Sequence, residues 1–358
     1  MTLTKMNKMN LKCLYFILFS VIMVQKTECT FIEWGTYFLN VPFLSFSVSS
    51  WFRNESTNIE KYGLSNMRYT GNIFRPFSEA NSYLLQCTIG CSHNQCTFCG
   101  MYKNQKFQIR PLDELKTDIK MAKAHYGDLE KVFLCDGDAI VIPTDMLLEL
   151  LHELYQTFPS LRHVGVYVGP TSTLNKSLSE LSALRAAGLT KAYLGVETGD
   201  DDILKSIKKG VGFAQMRDAG LHLIHSGINL SAMVLLGIAG PGEASEKHAL
   251  ATARICNEMK PHYLAALTVT PVPGTVLFHQ IEKGSFQLLN PFETLQEMKW
   301  IFENITVDPL KFVGTHASNY LPIKGTLQKD KQQMIHMIDD ILSNEKHTAL
   351  RSENMRGL

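Results

Sequence analysis

Six short apolar runs open near residues 83, 131, 163, 191, 229 and 263, and a stretch with helical spacing follows each of the first five. Alternation of this kind restricts the chain to a parallel sheet wound by right-handed crossovers. The spacing predicts strands at 83–88, 131–135, 163–168, 191–196, 229–236 and 263–269. It predicts helices from Leu112 to His125, from Thr144 through Leu147, Leu150, Leu151 and Leu154, and over 201–207, 213–225 and 244–257. Ser177 and Glu180 have the S-x-x-E spacing of a capping box ahead of Leu178, Leu181 and Leu184, and Gly188 stands where a left-handed helix stop belongs. Six βα units fall short of eight. The expectation is therefore α/β, a partial (βα)6 TIM-type barrel, with ligands at the carboxyl ends of the strands.

The coherent pattern begins near Met67, so three segments are expected: an extension of uncertain fold over 1–66, a core over 67–305, and a helical C-terminal segment over 306–358 with helices near 292–302 and 329–344. Lys5, Lys8 and Lys12 before the apolar run Leu14 to Val24 outline a secretory signal. As a helix that run spans only ~16 Å, too short to cross a bilayer. No small-x-small cleavage site follows, and the aromatic-rich stretch Phe31, Trp34, Phe38, Phe43, Phe46, Trp51 has no period. The signal-like run is expected to be spurious, Met67 to be the biological start, and the protein to be cytoplasmic. Lys plus Arg number 35 against 34 for Asp plus Glu, so no global field steers the chain to nucleic acid or membrane.

Cys91, Cys96 and Cys99 lie directly after the first strand as C-x4-C-x2-C, while the other five cysteines are scattered. Thiolates hold iron–sulfur clusters and zinc, and a loop this short wraps one cluster from a single excursion. Three ligands on a four-iron cluster leave one iron open. The same spacing also suits a 2Fe-2S electron carrier with Cys135 as fourth ligand, or a structural zinc knuckle that recruits Cys87. Four further segments sit at strand ends: Asp136-Gly137-Asp138, Glu197-Thr198-Gly199 with Lys209 beyond, Gly237-Ile238-Ala239-Gly240, and Pro271-Val272-Pro273-Gly274. Glycine allows close backbone approach, and an acidic neighbour complements an ammonium.

The loop and these strand ends together resemble the radical S-adenosylmethionine (radical SAM) superfamily, in the branch of oxygen-independent coproporphyrinogen oxidase, the Elongator catalytic subunit and the methylthiotransferases, over roughly residues 75–305. Most members have three residues between the first two cysteines, where this chain has four. The resemblance implies an oxidoreductase-type enzyme with a 4Fe-4S cluster on Cys91, Cys96 and Cys99, and S-adenosyl-L-methionine (SAM) on the open iron. It implies that Gly137 and Asp138 meet the amino group of SAM, Glu197 the ribose, Lys209 the carboxylate, and that Phe98 and Gly237 meet the adenine. It further implies an external one-electron reductant such as flavodoxin or ferredoxin. No acid follows the third strand, where the porphyrinogen oxidases keep one, so their substrate is not carried over. A small molecule is favoured, with tetrapyrrole and tRNA as alternatives, and no catalytic side chain is assigned.

Overall fold

A computed structural model describes residues 67–357. The signal-like run, the aromatic-rich stretch and the expected extension 1–66 lie outside the described residues. All six expected strands form: β1 Tyr83–Gln86, β4 Lys131–Cys135, β5 His163–Val168, β6 Lys191–Glu197, β7 Asn229–Leu236 and β8 Tyr263–Thr268. Two short strands, β2 Thr88–Ile89 and β3 Gln108–Ile109, make an antiparallel ribbon at the base of the cysteine loop. The six long strands pair in parallel in chain order, each crossover adding the next strand on the same side.

A sheet that always advances in one direction keeps its right-handed crossover helices on one face. The helices follow that rule. α1 (Leu112–Tyr126), α2 (Thr144–Thr157), α4 (Leu178–Ala186), α6 (Phe213–His225), α7 (Glu243–Met259) and α9 (Pro291–Asn304) pack each against the next in a single layer. Shorter helices, α3 (Pro170–Leu174), α5 (Asp201–Ser206) and α8 (Val276–Glu282), fill the connections. Strand residues of one parity, among them Leu85, Leu134, Val166 and Leu194, bury their side chains against the helices. The other parity puts Leu84, Phe133, Cys135 and Tyr193 together with Tyr167 on the inner face. There Phe133 meets Tyr167 and Tyr193 edge to face at 4.9 and 5.6 Å, each contact worth about 1 kcal/mol beyond area burial.

The C-terminal segment departs from the expectation of helices alone. Leu310–Gly314 (β9) joins β8 in parallel, and Ile323–Leu327 (β10) returns antiparallel along β9, so among the described residues the sheet has eight strands and is open between β1 and β10. Both strands are short and half exposed, and Lys311, Lys324 and Gly325 interrupt their apolar pattern. A helix, α10 (Lys331–Ser343), follows and packs on α9. At the other edge Arg110 ties the exit of the cysteine loop to the sheet. Its guanidinium donates to Gln86 O at 2.9 Å and pairs with Asp118 at 2.7 Å, both side chains buried.

Among the described residues no helix is long and apolar enough to cross a membrane.

Candidate iron–sulfur and SAM site

The loop between β2 and β3 is held through four of its residues to the segments that follow β4, β6 and β8. Gly90 N donates to Asp136 Oδ2 at 3.2 Å, and Ser92 Oγ donates to Asp138 Oδ2. His93 Nε2 meets Lys208 O at 2.6 Å. Thr97 N donates to Ile207 O at 3.0 Å, while Thr97 O accepts from Leu277 N at 3.0 Å. The thiols therefore sit on a loop anchored to the turn after β4, the connection after β6 and the helix after β8. Gly137 explains how close the approach is: a Cβ there would lie 2.9 Å from Cys91 Cβ and 2.8 Å from Tyr102 Cε2. Only glycine lets the β4 turn pass beneath Cys91.

Cys91, Cys96 and Cys99 are free and partly exposed. Burial pushes the Cys96 thiol up to about 11 against the opposing pull of Lys209, and it likewise raises Cys99. Lys209 and Glu197 are the charged neighbours of Cys96 and Cys99. Lys209 Nζ bonds Glu197 Oε1 at 2.8 Å, and both side chains are nearly buried. Burial disfavours the ammonium, yet Glu197 and the thiols outweigh it and hold the Lys209 pKa above its ordinary value. Glu197 itself has φ of +64°, a left-handed conformation that a glutamate adopts at a cost of about 1–2 kcal/mol. Gly195 makes room for the pair, since a Cβ there would fall 2.4 Å from Glu197 Oε1.

The alternative fourth ligands are placed elsewhere. Cys135 is fully buried on the inner face with Phe133 and Tyr193, and Cys87 is fully buried between sheet and helices. Desolvation raises both thiols, which disfavours the thiolate a metal needs. Among the described residues no three His, Cys, Asp or Glu side chains gather as for a single metal ion.

Asp138 is engaged within its own chain. Its carboxylate is 2% exposed and accepts from Gly169 N at 2.6 Å, from Ser172 Oγ at 2.5 Å and from Ser92 Oγ. It clamps the cysteine loop to the end of β5. The neighbour with a spare acceptor is Asp136, whose Oδ1 is buried without a hydrogen-bond partner, as is the Tyr102 hydroxyl. Burial raises Asp136 to about 6 against the donors of Gln86 and Gly90 and a weaker pull from the neighbouring Tyr102 hydroxyl, which makes no hydrogen bond to it. Phe98 packs with Ile207, Ile238, Val269 and Leu277 across the ends of β6, β7 and β8. Gly237 has φ of +82° and donates its N–H to Glu297 Oε1 at 2.7 Å.

Glu297 belongs to a buried polar group that the sequence reading missed. It also accepts from Ser245 Oγ and lies 3.6 Å from His248 Nε2, and His248 Nδ1 meets Thr198 Oγ1 at 2.7 Å. Burial pushes Glu297 up to about 7 and His248 down to about 4. The group links the residue after Glu197 to the Gly237 turn. An acid on a helix that otherwise reads as amphipathic was the one available signal.

Residues 85–252 match the family model described as the radical SAM superfamily. That stretch, just under half of the chain, is similar to a radical SAM domain. The chain is similar to the heme chaperone HemW of Bacillus subtilis (strain 168), 22% identical over 211 residues, which are 55% of this chain and 53% of HemW. It thus spans about half the length of that curated relative. Among solved structures it is similar to coproporphyrinogen III oxidase (HemN) of Escherichia coli, a radical SAM enzyme (15% identity, 77% of this chain and 71% of that one, TM-score 0.43). It is also similar to Streptococcus suis SuiB bound to SAM (13% identity, 72% and 53%, TM-score 0.46).

Proposed function

We propose that the enzyme holds a 4Fe-4S cluster on Cys91, Cys96 and Cys99, with SAM against the cluster and the Lys209–Glu197 pair, and acts on a small molecule. The observation that carries this reading is the pinned loop itself: three free, partly exposed thiols beside a nearly buried, strained ion pair. The donor set suits a cluster, being all sulfur and one ligand short of four. Held there, cluster and SAM would supply one-electron cleavage of a sulfonium, driven by an external reductant, and hydrogen abstraction from substrate.

The chain's own residues do the rest. Lys209 provides a cation for the carboxylate of SAM, and Glu197 acceptors for its ribose hydroxyls. Phe98 offers an aromatic edge and Gly237 bare backbone for the adenine. Asp138 and Gly137 position the loop, and Asp136 Oδ1 is the free buried acceptor near the thiols. Phe133, Tyr167 and Tyr193 fill the inner face and keep water from the reacting end. The near-zero net charge favours a small molecule over nucleic acid, and the likeness to a heme chaperone makes a tetrapyrrole the compound to titrate first. An oxygen-labile cluster fits a cytoplasmic enzyme.

The test is anaerobic reconstitution, iron and sulfide counting, and an assay for 5′-deoxyadenosine with SAM and dithionite. Four irons with sulfide and SAM-dependent product are expected. Zinc without sulfide, or no product from fully loaded protein, overturns the reading.

A further inference from the structure

Glu197 and Gly237 stand at the carboxyl ends of two neighbouring parallel strands, β6 and β7, and both have positive φ, +64° and +82°. A left-handed glutamate persists only where its surroundings fix it. Lys209 fixes the side chain. The backbone that follows is fixed by α7: Thr198 Oγ1 accepts from Asp200 N at 3.0 Å and meets His248 Nδ1 at 2.7 Å, and Gly199 N donates to Thr252 Oγ1 at 3.3 Å. His248 and Thr252 are one helical turn apart, so a single face of α7 grips the turn after β6.

The turn after β7 is gripped from α9. Glu297 accepts from Gly237 N at 2.7 Å and, on its other oxygen, from Ser245 Oγ of α7. Its Oε1 also lies 3.6 Å from His248 Nε2, an electrostatic contact just beyond hydrogen-bond length. A carboxylate facing Nε2 favours the tautomer with its proton there, which leaves Nδ1 to accept from the Thr198 hydroxyl. Donors then point one way, from Asp200 N through Thr198 and His248 towards Glu297, and Gly237 N meets the same carboxylate from the far side. Thr198, His248 and Glu297 are fully buried, so loss of one member strands the next. The charged group that acts on His248 from outside, Asp200, is paired with Lys247 at 3.0 Å.

We infer that Thr198, His248 and Glu297 are positioning residues for SAM: they hold the Glu197 turn and the Gly237 turn at a fixed spacing, so that ribose and adenine meet groups already in place. Turns ordered beforehand spare the ligand the cost of ordering them on binding. The role rests on the SAM site proposed above and adds which buried groups set its geometry.

The experiment uses the reconstituted full chain, with SAM affinity read by equilibrium dialysis and KM and kcat by dithionite-driven 5′-deoxyadenosine formation. Thr198→Val, which removes the hydroxyl at nearly constant shape, and Glu297→Ala should each weaken SAM binding about fivefold and raise KM with little change in kcat. Thr198→Ser and Glu297→Gln keep a hydroxyl and an acceptor, and should return affinity to within about twofold of wild type. The double variant Thr198→Val, Glu297→Ala should lose no more than about tenfold, short of the roughly 25-fold that independent sites would give. Amide exchange in the iron-free chain separates the relay from the ligand: Thr198→Val should speed exchange at Gly237 about threefold, and Thr198→Ser should not. Unchanged SAM affinity in Thr198→Val and Glu297→Ala, additive losses in the double variant, or unchanged exchange at Gly237 overturns the positioning role. Wild type that loads iron yet binds no SAM overturns the SAM site instead, and the exchange result still decides the relay. Iron content of each variant is measured first, and the Thr198→Val and Thr198→Ser pair decides the matter should Glu297→Ala fail to fold.

Discussion

The two ends of the sheet carry buried charge in opposite ways. At the amino ends of the strands Glu79 is 2% exposed and fully engaged: it accepts from Ser82 Oγ at 2.5 Å, from Tyr193 Oη, and lies 3.0 Å from His163 Nε2, while His163 Nδ1 meets Thr190 Oγ1 at 2.8 Å. At the carboxyl ends, among the described residues, Asp136 Oδ1 and Tyr102 Oη have no hydrogen-bond partner, three thiols are free, and Glu197 is held at positive φ. A closed network holds a fold together, whereas unpaired buried groups beside free thiols and a strained acid mark a place suited to binding. The same sheet thus separates stability at one end from chemistry at the other.

Four measurements would break or sharpen that contrast. Cys91→Ala, Cys96→Ala and Cys99→Ala should each reduce bound iron and 5′-deoxyadenosine formation to background, while Cys135→Ser retains both; loss of iron in Cys135→Ser would move chemistry into the aromatic core. Glu79→Ala should cost about 3 kcal/mol of unfolding free energy in denaturant titration, because it strands buried donors, yet leave SAM affinity unchanged. Burial works against the Glu79 carboxylate, but its donors win and hold its pKa below 4.5. Wild type should therefore keep this stabilisation above that pH and lose it as the pH falls further, and Glu79→Ala should show a flatter acid limb.

Lys209→Met should weaken SAM binding about tenfold by equilibrium dialysis, with a smaller effect on melting temperature. An unchanged SAM affinity would reduce the pair to a structural bridge. The smallest effect concerns Glu297, raised by burial to about 7 from 4.5. A raised carboxyl stabilises fully below its unfolded pKa and loses that contribution as pH rises through the folded value, so the melting temperature should fall by a few degrees between about pH 5 and 8. Glu297→Gln should remove that slope.

Much of the architecture could be read from local pattern. The six long strands and their helices follow from apolar period. Ser177 does accept from Glu180 N while Glu180 reaches back to Ser177 N, and Gly188 ends that helix at φ of +109°. β9 and β10 escaped because five half-exposed residues with lysines and a glycine carry little periodicity. The thiols were legible because their spacing is local. The commitment of Asp138 to Ser92, Gly169 and Ser172, and the meeting of Thr198, His248 and Glu297, depend on segments 30 to 100 residues apart being brought together by the barrel. No local pattern encodes that convergence.

Thr97 has a part beyond its place between the cysteines. Through its N–H and its carbonyl it joins the connection after β6 to the helix after β8, from a loop that springs from β1. Since the sheet of the described residues is open between β1 and β10, this one residue works as a staple across the mouth of an unclosed cylinder. Filling the thiol site would then double as the last stage of assembly, and slowed amide exchange at Thr97 and Leu277 on loading would make that closure visible.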